Sequence, residues 1–257
     1  MLELNGIAKR FGGVQALAGI DYAVSAGRVH SVIGPNGAGK TTLFNVITGV
    51  YRPSEGTVKL HGEVVSGRSP DQLARRGVAR TFQNLQVCHH MNALENVMVG
   101  AHLRLSQRLL PALFHFPGLR RADGTCRDEA MELMRFVGVH EYALRLAEAL
   151  PYGVLKRLEI ARALALKPKL LFLDEPAAGL NPTEKGAMRE LIRDIAASGV
   201  TVVLVEHDMK LVMGVSDHVL VLDYGRKLAE GTAEEVRANP AVVAAYLGAG
   251  ATGATLQ

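Results

Sequence analysis

Nine residues, GPNGAGKTT from Gly34 to Thr42, dictate a local fold before the rest of the chain is read. They fit G-x-x-x-x-G-K-[ST] through Gly34, Gly39, Lys40 and Thr41, a pattern that needs a strand before it and a helix after it. The apolar run HSVIG precedes the loop, and KTTLFNVITG reads as a helix closed by Gly49. Between them Pro35, Asn36, Gly37 and Ala38 form a cradle whose backbone N–H groups turn inward around phosphate oxygens. The helix that follows, with Thr42 in its first turn, points its positive end at the same anion. Lys40 reaches the β- and γ-phosphates, and the Thr41 hydroxyl ligates Mg²⁺.

The stretch LLFLDEP places Asp174 and Glu175 at the carboxyl end of an apolar strand, where open α/β sheets bind ligands. An Asp there holds the Mg²⁺ shell, directly or through water. Adjacent strand residues point to opposite sides, so Glu175 is expected to aim elsewhere and polarise an attacking water.

Elsewhere, LELNGIAKRF and GIDYAVSAGRVHSVIG read as short strands with Gly turns, GTVKLHGEVV as a strand pair with a His-Gly turn, and GVARTFQ as a further strand. A short helix is expected over 70–77 and mostly helix from Asn84 to Lys167. Then KLLFLDEP, VTVVLVEH and DHVLVLDYG alternate with helices at 182–198 and 208–215, with the last helices in 232–247. Buried strands alternating with helices indicate a parallel α/β sheet. Leu211, Val212, Val215, Val219 and Val221 are assigned to the core. The expected organisation is one domain over 1–257, with an α/β core from 1–84 and 168–247, a helical insertion at 85–167 and a flexible tail at 248–257.

With 48% apolar and 21% charged residues, the composition is that of an ordinary globular chain. A formal charge of +4 gives no reason to invoke nucleic acid as a partner. Cys88 and Cys126 are too few for a disulfide framework, and the start MLELNGIAKRF is too short and polar for a signal peptide. No apolar run approaches ~18 residues, so a partner must supply any membrane span. The run Cys88–His90 is discounted as a metal site because three adjacent residues cannot all face one ion. The basic stretch with Arg104, Arg108, Arg120, Arg121 and Arg127 against Asp123 reads as a solvated face, with contact to lipid head groups as the alternative.

With these motifs in this order, the chain resembles the ATP-binding subunit of an ABC transporter over nearly all of residues 1–247. The resemblance implies a P-loop NTPase with a RecA-like core, an N-terminal antiparallel β subdomain and an inserted α-helical subdomain. It makes Gln83 in TFQN the residue that contacts Mg²⁺ and water and reports to the membrane partner. It makes His207 in VEHDM the γ-phosphate contact and Phe11 in KRFGG the adenine-stacking aromatic. AGLNP matches the D-loop, with Asn181 where Asp is commoner. It further implies ATP and Mg²⁺ as cofactors, and a head-to-tail dimer in which each signature loop faces the other subunit's γ-phosphate.

That signature position holds LPYGVLKRLEIARAL, in which Pro151, Tyr152, Gly153 and Val154 stand where the family usually has Ser-Gly-Gly-Gln. Gly153 keeps the close backbone approach, and the helix from Val154 keeps a positive end. Pro151 loses a hydroxyl and an N–H, which weakens a phosphate contact by about 1.5–3 kcal/mol without abolishing the site. The Pro-Tyr-Gly form, with LDEPAAGLNP and NPAVVAAYLG, resembles the branched-chain amino acid importer ATPases of the Liv type, and the helical insertion resembles the longer of their two ATPase subunits. The expected setting is the cytoplasmic face of a bacterial inner membrane. The expected partners are transmembrane permease subunits, a second ATPase subunit (the same chain or a sister), and indirectly a periplasmic binding protein. The alternatives are an ATPase for lipid, lipopolysaccharide, urea or amide transport, and a soluble ABC ATPase.

Overall fold

Strand β3, Val29–Ile33, is buried at every position, because both faces of its sheet are covered. It pairs in parallel with β8 (Thr201–Val205) on one side, Val29 opposite Val202, and with β9 (His218–Asp223) on the other, His30 opposite His218. A helix, Met209–Val215, crosses from β8 to β9, as strands that run parallel on either side of β3 require. Strand β10 (Arg226–Gly231) returns antiparallel along β9. Leu211, Val212, Val215, Val219 and Val221 are all buried.

The computed structural model describes residues 1–83, 85–105 and 118–249, and it divides into two compact units, Met1–Leu73 with Ile192–Gln257, and Ala74–Leu191. The first unit also holds an antiparallel sheet in the order β2-β1-β4-β5, from Val14–Val24, Leu2–Phe11, Glu55–Leu60 and Glu63–Val64. Strand β1 covers the stretch LELNGIAKRF as expected, whereas β2 begins at Val14, ahead of the expected GIDYAV. Gly19, where the second stretch was expected to begin, lies inside β2 with φ +70°, and shifts of register between Leu4 and Arg10 absorb it. Gly12 and the adjacent Gly13 make the actual reversal.

The second unit pairs β6 (Val78–Arg80) in parallel with β7 (Leu170–Asp174). Strand β6 stops at Arg80 rather than continuing through GVARTFQ, because the Phe82 N–H leaves the ladder and donates to the Glu159 carboxylate at 3.1 Å. The short helix expected over 70–77 covers Pro70–Ala74 and is ended by Gly77 at φ +82°. Helices follow at Ala93–Gly100, His102–Leu105, Gly118–Phe136, Tyr152–Leu164 and Pro182–Ala197. Of the basic stretch, Arg108 and the side chains of Arg104, Arg120, Arg121 and Asp123 lie outside the described residues, while Arg127 is exposed. Helices Ala233–Ala238 and Pro240–Ala249 close the chain, and the tail from 250 onward lies outside the described residues.

Candidate functional site

In the first unit β3 runs into Gly34, and helix α1, Lys40–Ile47, starts immediately after Gly39. Both glycines are dictated by space. A Cβ on Gly34, at φ +151°, would lie 2.2 Å from the Leu222 carbonyl oxygen; one on Gly39, at φ +99°, would lie 2.8 Å from the Ala16 carbonyl oxygen. The loop between is tied by an Ala38 N–H bond to the Pro35 carbonyl at 3.1 Å and by a Gly225 N–H bond to the Ala38 carbonyl at 3.0 Å. No side chain caps α1 and no acidic residue occupies its first turn, so its leading N–H groups and positive end remain available to an anion. Lys40 is buried, and its Nζ donates to the carbonyls of Gly34 at 2.6 Å and Pro35 at 2.9 Å, which places its charge inside the loop. Asn36, Gly37 and Thr41 are exposed at the rim, and Thr42 is half-buried behind them.

Three other residues of the first unit lie outside this loop. Phe11 ends β1 at 42% exposure; Tyr51 packs edge-on to it at 5.2 Å and Lys9 Nζ lies 4.9 Å from its centroid. His207 is exposed just beyond β8, and the buried Glu206 accepts the backbone N–H groups of His207 at 2.9 Å and Asp208 at 3.2 Å. Asp208 then caps the next helix by accepting the Leu211 N–H at 3.1 Å. Tyr246, which sequence reasoning missed, faces the Gly34 backbone with its phenol.

In the second unit Asp174 is buried at the end of β7, and Arg80 Nη2 meets its Oδ2 at 2.7 Å. The Thr81 hydroxyl accepts the Asp174 N–H at 3.2 Å. Glu175 diverges from Asp174 for a different reason than strand pleating: the strand ends at Asp174 and Glu175 turns left-handed at φ +48°. Its Oε2 accepts a hydrogen bond from Gln83 Nε2 at 3.1 Å, so the structure brings these two site residues together.

Helix Tyr152–Leu164 begins behind Pro151, which supplies no side-chain cap. Gly153 is buried there, and a Cβ on it would lie 2.4 Å from Glu184 Oε1. Glu184 is held in turn by Asn181: the Asn181 N–H donates to Glu184 Oε2 and the Glu184 N–H to Asn181 Oδ1, each at 2.9 Å. The half-exposed Tyr152 ring packs on Gly179, where a Cβ would lie 2.9 Å from Tyr152 Cε1. Sequence reasoning missed Arg80, Lys156, Glu159 and Glu184. Lys156 and Glu159 left one signal, opposite charges three residues apart on one helix. Burial pushes the Glu159 carboxyl up, against the Phe82 N–H and the nearby Lys156 charge.

Residues 17–178 match the family described as ABC transporter, and residues 226–252 match one described as branched-chain amino acid ATP-binding cassette transporter. The chain is 46% identical over 249 residues to the high-affinity branched-chain amino acid transport ATP-binding protein BraF of Pseudomonas aeruginosa, covering 96% of this chain and 98% of that protein. It is 44% identical, with the same coverage, to the corresponding LivG protein of Escherichia coli K12. Among solved structures, an ATP-binding cassette of an ABC transporter in its ADP conformation superimposes with a TM-score of 0.83 at 32% identity, over 96% of this chain and 98% of that one. A dimeric ATP-binding cassette in a post-hydrolysis state, bound to ADP and Pi, gives 0.74 at 25% identity over 91% and 99%.

Proposed function

The chain belongs to the ABC transporter family, and we propose that it is the ATP-hydrolysing subunit of an importer for branched-chain amino acids. The observation that carries the cargo class is the segment 226–252, whose similarity is to branched-chain cassettes specifically rather than to ABC proteins at large. The chemistry follows from the cradle. Gly34 and Gly39 leave no room for side chains, and Lys40 lies inside the loop, where the triphosphate of ATP binds with Pro35, Asn36, Gly37, Ala38 and Thr42 around it. Phe11 stacks on adenine. Glu175 accepts a proton from the attacking water, Gln83 orients that water, and His207 contacts the γ-phosphate.

Thr41, Gln83 and Asp174 offer oxygen donors only, which suits a hard divalent cation such as Mg²⁺, and these residues would hold it. When bound, that ion neutralises charge on the β- and γ-oxygens. Tyr152 and Gly153 contact the nucleotide of a second ATPase subunit, the same chain or a sister, paired head to tail. No described helix is long and apolar enough to cross a membrane, so permease subunits supply the channel. The chain works as a peripheral subunit on the cytoplasmic face, and a periplasmic binding protein delivers the cargo. Residues 1–84 and 168–247 act as the nucleotide-binding core and 85–167 as the helical lever toward the permease.

Gel filtration of Glu175→Gln tests the site. ATP with Mg²⁺ is expected to shift this variant to a dimer, and adding Lys40→Ala is expected to abolish the shift. A protein that binds ATP and stays monomeric requires a sister subunit for the opposite signature. The cargo is tested by reconstitution with the permease and binding protein: ATP-dependent uptake of labelled leucine, isoleucine and valine is expected. ATP turnover without that uptake would overturn the cargo assignment.

A further inference from the structure

Helix Tyr152–Leu164 carries two charged residues that are almost inaccessible, Lys156 at 3% and Glu159 at 4% exposure. Three residues apart, they share one face of the helix. Buried charges are costly unless they find partners, and here the partners are backbone groups of the two segments that hold Gln83 and Glu175. Lys156 Nζ is shared between the Gln83 carbonyl at 3.5 Å and the Glu175 carbonyl at 3.4 Å. Glu159 accepts the Phe82 N–H at 3.1 Å, and one turn further Arg162 donates to the Gln86 carbonyl. One stripe of this helix therefore holds the backbone of Phe82, Gln83 and Gln86 and the residue that follows β7.

Glu175 needs such a hold. Its backbone is left-handed at φ +48°, a conformation that costs a non-glycine residue about 1–2 kcal/mol and persists only where its surroundings over-determine it. Its side chain meets the Gln83 amide at 3.1 Å. The two residues are thus tied twice, side chain to side chain and, through one ammonium, carbonyl to carbonyl. An ammonium suits this role because it offers three donors from one atom.

We propose that Lys156 is a positioning residue for ATP hydrolysis: by holding the carbonyls of Gln83 and Glu175 it sets the geometry in which their side chains meet the attacking water. Glu159 balances the Lys156 charge and fixes Phe82 beside it. The inference rests on the reading of Glu175 and Gln83 given above.

Steady-state ATPase kinetics of the full chain test it, with Lys156→Met, Lys156→Arg, Gln83→Ala, Glu175→Gln and the double variant Gln83→Ala/Lys156→Met. Lys156→Met is expected to lower kcat about 10- to 100-fold, the cost of misplacing reactive groups by about an ångström, while KM for ATP stays within about twofold. Lys156→Arg is expected to recover part of the loss. In the Gln83→Ala background the same substitution is expected to cost less than it does in the wild type, because the part of its effect that runs through the Gln83 side chain is already gone, while the part that runs through Glu175 remains. A purely structural lysine would instead give additive losses, a lower melting temperature and no rescue by Arg, and that pattern overturns the proposal. So does a Lys156→Met kcat within about twofold of wild type while Glu175→Gln abolishes turnover, an outcome that leaves the reading of the site intact. Undiminished turnover in Glu175→Gln overturns the reading itself. Should Lys156→Met fail to fold, Glu159→Gln, which keeps a carbonyl acceptor for Phe82, is expected to lower kcat at unchanged KM, and an unchanged kcat overturns the proposal.

Discussion

Arg80 and Asp174 form an ion pair at 2.7 Å with side chains only 9% and 4% exposed. The pair joins the ends of β6 and β7, so a residue assigned to Mg²⁺ is also part of the framework. Removing one partner strands the other charge in a dry site. Arg80→Met is expected to destabilise the protein by about 3–5 kcal/mol, read as a lower urea midpoint at unchanged slope. A loss below about 1 kcal/mol would mean that the pair is solvated in practice.

His30 makes stability depend on pH. Its Nε2 accepts the Ser25 N–H at 3.0 Å, so the ring proton sits on Nδ1, which faces the Tyr22 hydroxyl at 2.9 Å. Protonation would set a second N–H against Ser25. Burial first, then His218, pushes the imidazole from 6.5 down to about 4, with the Asp217 carboxylate opposing. The folded state therefore binds fewer protons than the unfolded state between those values. Stability is full above about pH 6.5 and declines as pH falls toward about 4, by roughly 3 kcal/mol from this group. Urea unfolding across that window checks the slope, and His30→Gln is expected to flatten it.

The turn from β3 into α1 was legible because its constraints are local: an apolar run, glycines where no Cβ fits, and a lysine at the helix start. The alternation of buried strands and helices was legible from hydrophobic runs for the same reason. The hold of Lys156 and Glu159 on the Gln83 segment was not, because its acceptors and donors are backbone groups 73 and 77 residues away, and any residue type provides them. Arg80 and Asp174 stand 94 residues apart, so only the pairing of their strands brings them together. The start of β2 ahead of Gly19 was not legible for a physical reason: glycine marks a strand end and a bulge alike, and register with a partner strand decides between them.

The phosphate loop separates two kinds of glycine. Gly37 has φ +80° with no atom within 4 Å of an added Cβ, so Gly37→Ala is expected to cost about 1–2 kcal/mol of backbone strain. At Gly34 the obstacle is a backbone oxygen at 2.2 Å, which cannot move aside as a side chain would. Gly34→Ala is expected to cost about 3–5 kcal/mol, strain and overpacking together, and to lose ATP binding. Melting curves with and without ATP distinguish the two. Equal losses would show that the contact with Leu222 relaxes.

Tyr246 links the C-terminal helix to this loop, since the backbone of Gly34 faces its phenol and favours the charged form, and the Gly34 carbonyl accepts Lys40 Nζ at 2.6 Å. Burial pushes the phenol up to about 12, so it stays protonated and neutral across the working range. Tyr246→Phe removes the phenol oxygen that faces the Gly34 backbone, and is expected to cost about 1–3 kcal/mol. Because Gly34 also orients Lys40, the same variant is expected to weaken ATP binding, whereas a change confined to helix packing would lower stability alone. Urea unfolding and a nucleotide titration of Tyr246→Phe, compared with a chain ending at Asn239, separate the two. Matching losses of affinity in both would place the coupling in the phenol. Full affinity in the Phe variant with loss only on truncation would place it in the helix.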